Sequence, residues 1–138
     1  MKYQNIQAQI QQRYNEFPMK FAFNQEQLNR GLAELNITAK EAVSIGNGGF
    51  IRKSDKEAFL AMTRECAKLR EECMADDEYV ETMFYYELGN HEYCVTYDLE
   101  DTLDACGLTA DEINNDPRLK RLLAKALEQY EKDTEDWW

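Results

Sequence analysis

The sequence predicts an α+β fold, a single helix-rich domain with a small antiparallel sheet of about three strands. Three observations carry that prediction. Apolar residues recur at helical spacing over most of the chain, and two short stretches, "MKFAF" and "AVSIGNGGFIRK", break into the alternation of strands. The third is composition: 43% hydrophobic against 31% charged residues over 138 positions is enough apolar matter for one core. The domain is expected over residues 1–133, with an acidic and aromatic tail at 134–138.

Tyr3, Ile6, Ile10, Tyr14 and Phe17 share one helical face, so residues 2–16 read as an amphipathic helix that Pro18 stops. "MKFAF" follows as a strand. Asn24 with Gln27 forms a capping-box pattern in front of Leu28, Leu32 and Leu35. "AVSIGNGGFIRK" reads as two strands around a glycine turn, because glycine tolerates the positive φ of tight hairpins. Ser54 with Glu57 is a second box, and Phe59, Met62, Cys66, Leu69 and Cys73 step 3, 4, 3, 4 behind it as a core-facing seam. Asp98 and Asp101 cap a short helix ended by Gly107, and Thr109 with Glu112 caps another. Asp116–Pro117 supplies the N-cap and first residue of a last helix, with Leu119, Leu122, Leu123, Ala126, Leu127 and Tyr130 inward.

Residues 83–97 admit two structures. Gly89-Asn90 between aromatic runs is a hairpin signal, but a two-residue turn would set Glu87 opposite Glu92. A helix from Asp77 instead stacks Val80, Phe84 and Leu88, with acids in the first turn where the helix dipole favours them. The helix is the expectation.

Net charge is −11, and it is segregated. Residues 1–70 carry 11 basic and 7 acidic side chains, residues 118–138 carry 5 of each, and residues 71–117 carry 15 acids and no Lys or Arg. The opening residues do not read as a secretory signal, and no apolar run approaches the ~18 residues of a membrane span. Four cysteines without a disulfide-type framework fit a reducing bacterial cytoplasm.

Catalytic patterns are weak. "GNGG" lacks the lysine and Ser/Thr of a phosphate loop, neither serine sits in a nucleophile elbow, and "DLEDTLD" lacks the glycine and terminal glutamate of a calcium loop. Cys94 beside His91 would be a thiol in the most electronegative part of the chain, which opposes thiolate formation. No enzyme is expected. A structural zinc site is a candidate, because Cys66 and Cys73 share one helical face while His91 and Cys94 share the next. Against it, reduced cysteine on an apolar seam serves as a small hydrophobe.

The acidic stretch is the sharper signal. DNA carries about one charge per 1.7 Å of axis, and carboxylates at i, i+3 and i+4 of a helix stand about 5–6 Å apart. A face built from Asp76, Asp77, Glu78, Glu81, Glu87, Glu92, Asp98, Glu100, Asp101 and Asp104, with the interleaved Tyr79, Tyr85, Tyr86, Tyr93 and Tyr97 as aromatic anchors, is expected to bind a protein partner that has a basic nucleic-acid-binding groove. It is not expected to bind nucleic acid or membrane itself. The plainer alternative is a solvated face, neutralised by the positive amino-terminal half within the fold or across a homodimer.

"SIGNGGFIRK" and "FYYELGNHEYCVTYDLEDTLDACGLT" resemble segments of a family of small acidic, uncharacterised proteins carried by phages and mobile elements of gut Firmicutes. In size and charge the chain is also similar to the anti-CRISPR inhibitors of such elements. That resemblance implies a non-enzymatic inhibitor that blocks DNA loading by a type II CRISPR effector nuclease, some such proteins being DNA mimics and a few holding zinc. The alternatives are an accessory mobile-element protein with a solvated acidic face, or a zinc-stabilised domain that binds by shape.

Overall fold

Asn24 shows how closely the local chemistry follows the sequence. Its Oδ1 accepts the Gln27 amide at 2.8 Å and opens a helix, while the Gln27 side chain reaches one residue further back and accepts the Phe23 amide. The computed structural model describes residues 1–135, so the expectations for Trp137 and Trp138 lie outside the described residues. Its helices are α1 (Tyr3–Glu16), α2 (Gln25–Glu34), α3 (Lys56–Cys73), α4 (Asp77–Asn90), α5 (Tyr93–Thr96), α6 (Glu100–Ala105), α7 (Ala110–Asn114) and α8 (Pro117–Thr134). The strands are β1 (Met19–Phe21), β2 (Ala42–Gly46) and β3 (Gly49–Arg52). The expected α+β class with a three-stranded antiparallel sheet is what is observed, in the order β1-β3-β2. The described chain divides into two compact units, Gln9–Lys68 and the pair of segments Met1–Ala8 and Leu69 onward.

The Gln9–Lys68 unit holds the sheet. Ile51 pairs with Met19 on one side and Val43 on the other and is fully buried, so β3 is the central strand. Gly46, Asn47 and Gly48 all take positive φ in the β2–β3 turn, a path that glycine follows at low cost. Helix α2 reaches the sheet through Gly31, where a β-carbon would stand 2.7 Å from Phe50 Cζ. The Ser54 box expected before α3 is replaced by a 3-10 turn, Lys53–Asp55, with the Arg52 guanidinium 3.1 Å from Asp55 and donating to the Leu35 carbonyl.

The other unit is helical. Residues 83–90 complete α4, as the stacking of Val80, Phe84 and Leu88 requires, and all three are buried; a turn at His91–Glu92 separates it from the single turn of α5, with no hairpin. Asp76, Thr109 and Asp116 cap α4, α7 and α8, the last accepting the amides of Arg118 and Leu119. Ion pairs and ring contacts step along α4 and α8 in the same order, 77 to 118, 81 to 125 and 85 to 130, so the two helices run parallel. Helix α8 continues through the buried Thr134. Among the described residues, no helix is long and apolar enough to cross a membrane.

Candidate acidic interaction surface

The ten acids of the expected face divide into three groups by what meets them. The first group lies on α4 and is largely neutralised. Asp77 is held by Arg118 at 2.6 Å and Arg121 at 3.5 Å, and Lys125 stands 3.5 Å from Glu81. Asp76 and Glu78 lie 3.2 and 2.9 Å from the Met1 amino group. The Arg118 hydrogen bond draws the Asp77 carboxyl below its ordinary pKa, and the Tyr79 amide does the same for Asp76. The bases come from α8, whose Arg118, Arg121 and Lys125 fall on one helical face. Tyr85 is half-buried and donates to Asp133, a bond that pushes its phenol upward.

Glu87 forms a group of its own and corrects the expectation that it meets a partner. It is only 4% exposed, because it follows Val80 and Phe84 onto the buried side of α4. Tyr3 donates to its Oε1 at 2.8 Å, Asn90 to its Oε2 at 3.3 Å, and His91 Nε2 lies 3.2 Å from Oε2. Gln7 in turn donates to the Tyr3 hydroxyl. Burial, then the bond to Glu87, raises the Tyr3 phenol far above the usual tyrosine value. Cys106 is pushed up to about 12, first by burial and then by the charge of Glu87, so it is a thiol at neutral pH.

The third group remains exposed. Glu92, Asp98, Glu100, Asp101 and Asp104 are all exposed, and among the described residues no Lys or Arg pairs with any of them. Asp98 accepts the Glu100 amide, but the residue that caps α6 is Leu99, which gives no side-chain bond, and Asp101 lies within the helix, so the expected caps are displaced by one residue or more. The same stretch exposes Tyr97, one of the five tyrosines expected as anchors, and Val95, which the sequence did not single out. Of the other expected anchors, Tyr79 is buried beside Tyr3 and so does not meet a partner, Tyr93 is half-buried, and Tyr86 is exposed.

The proposed zinc ligands are not assembled. Cys66, Cys73 and Cys94 are buried thiols and His91 is turned toward Glu87. Among the described residues, no group of three or more His, Cys, Asp or Glu is placed to hold a metal. The cysteines fill the apolar seam as small hydrophobes, the role their 3, 4 spacing also allowed.

Residues 2–129 match the model of a family of unknown function, DUF7659, and the chain belongs to that family. No curated protein and no solved structure matches it.

Proposed function

Starting from membership in a family of unknown function, we propose that the protein is a non-enzymatic inhibitor of the kind carried by phages and mobile elements. Its target would be a bacterial nucleic-acid-binding defence protein, and a type II CRISPR effector nuclease is the target class to test first. The observation that carries this reading is the set Glu92, Asp98, Glu100, Asp101 and Asp104, exposed and without a basic partner among the described residues. Like charges gathered this way destabilise a compact chain by a few tenths of a kcal/mol for each close pair, so binding gives a reason to keep them. Placed in a basic channel, such a face occupies the positions of phosphates and is drawn in by long-range attraction. For Asp77 and Glu81 the α8 ion pairs favour the plainer reading of an internally neutralised surface.

The test is DNA cleavage by a guide-loaded type II effector nuclease titrated with this protein. Inhibition is expected to weaken steeply between 50 and 200 mM salt, as displacement of a polyanion does. The triple variant Glu100→Lys, Asp101→Lys, Asp104→Lys should lose inhibition while keeping its melting temperature. Equal inhibition by the reversed variant would remove the acidic surface from the mechanism.

A further inference from the structure

Resting on the reading above, we infer that Tyr97, with Val95, is a pre-organised apolar anchor within the acidic surface, and that it fits a protein partner whose arginines or lysines surround an apolar notch. Tyr97 is 70% exposed and Val95 60% exposed, and both lie in the stretch that carries the unpaired carboxylates. The one-turn helix α5 that presents them is bracketed by two left-handed residues, Glu92 and Tyr97, each with φ of 53°. A residue with a β-carbon adopts that conformation at a cost, and for a bulky side chain it is a true outlier. A turn chosen for its backbone alone would hold glycine or asparagine at position 97. One chosen for solvation would hold a polar side chain. Tyrosine serves neither purpose.

The ring is also held in place. Tyr97 packs edge-on against Tyr93 at 5.8 Å between ring centres, Tyr93 lies 6.1 Å from Tyr130, and Tyr130 lies 6.1 Å from Tyr85. The Tyr97 amide donates to the Tyr93 carbonyl at 2.9 Å, and the Tyr130 hydroxyl accepts the Cys94 amide at 3.1 Å. A line of rings thus runs from the buried Tyr130 to a tip in solvent, and the Tyr93 contact favours one placement of the Tyr97 ring before binding. Aromatic anchors of this type dominate interface energetics, whereas rim charges govern encounter rate and salt dependence. The flanking Glu92, Asp98, Glu100 and Asp101 select a positively charged surround.

Two peptides of equal charge probe this directly, (Arg-Arg-Leu) and (Arg-Arg-Gly), each repeated three times and titrated by calorimetry at low salt. The leucine peptide should bind roughly tenfold more tightly or better. Tyr97→Asn, which suits a left-handed backbone, should erase that preference, keep the salt dependence and leave the melting temperature unchanged or raised. Val95→Ser should reduce the preference in part. Equal binding of the two peptides, or a preference that survives both substitutions, overturns the anchor while leaving the acidic surface standing. Failure of both peptides to bind overturns the acidic surface, and the anchor with it.

Discussion

Tyr3 and Glu87 form the polar contact with the largest expected effect on stability. The Tyr3 hydroxyl donates to Glu87 Oε1 at 2.8 Å, and the two residues are 5% and 4% exposed. A hydrogen bond to a charged acceptor contributes about 1.5–3 kcal/mol. Tyr3→Phe should therefore lower the unfolding free energy by about 2 kcal/mol, a fall of roughly 5–10 °C in melting temperature for a chain of this size. In a Glu87→Gln background the same substitution removes a neutral bond and should cost about 1 kcal/mol, leaving a coupling of about 1 kcal/mol. Alkali adds an independent check. The folded phenol is raised above its unfolded value, so its stabilisation is full below the ordinary tyrosine pKa of about 10 and is lost as pH rises beyond it. Tyr3→Phe should flatten that alkaline loss. Chemical unfolding of the four proteins of the cycle at neutral pH, with wild type and Tyr3→Phe compared from pH 8 to 11, measures both effects. If Tyr3→Phe changes stability by less than about 0.5 kcal/mol, or costs the same in both backgrounds, the buried carboxylate does not hold Tyr3 and the reasoning fails.

Other outcomes follow from the same structure. Gly31→Ala should destabilise the sheet-bearing unit by about 1 kcal/mol in thermal unfolding, because crowding Phe50 at 2.7 Å outweighs the gain in helix propensity. Asp116→Ala removes the acceptor of two amides at the start of α8 and should cost about 1 kcal/mol by the same measurement. Cys106, pushed up to about 12, should alkylate with iodoacetamide at pH 8 far more slowly than a free thiol, whose pKa is about 8.5. Complete labelling of Cys106 at the free-thiol rate would contradict its burial.

Much of this architecture was legible because it is written in local patterns. Asn24, Thr109 and Asp116 cap helices where short polar side chains precede apolar periods, and the glycines around Asn47 make the hairpin. Helix rather than hairpin after residue 83 followed from Val80, Phe84 and Leu88, but the Gly89-Asn90 signal also had force, because α4 ends at Asn90 and a turn follows. The site was less legible, because charge along a sequence does not say what stands across from it in space. Glu87 looked like one acid among fifteen, although its place three residues after Phe84 already put it on the apolar side of α4. The bases that meet Asp77 and Glu81 lie about forty residues on, at i, i+3 and i+7 of α8, a stripe whose partner only the parallel packing reveals. Left-handed backbone at Tyr97 has no sequence signal at all.

The acidic stretch is therefore not one uniform polyanion. Packing divides it where α4 ends. Upstream, the parallel α8 brings guanidinium and ammonium groups against Asp77 and Glu81, and the fold itself satisfies those charges. Downstream, the chain leaves α4 through His91 and the left-handed Glu92, and Glu92, Asp98 and the three acids of α6 stand where no described Lys or Arg meets them. A chain selected only for solubility has no reason to hold a left-handed, exposed tyrosine within that unpaired stretch. A chain selected to hold a basic partner has two: attraction that acts at a distance and a rigid apolar tip that acts on contact. Among the described residues, unpaired carboxylates and an exposed ring stand together in residues 92–104, which is where the proposed partner is to be tested.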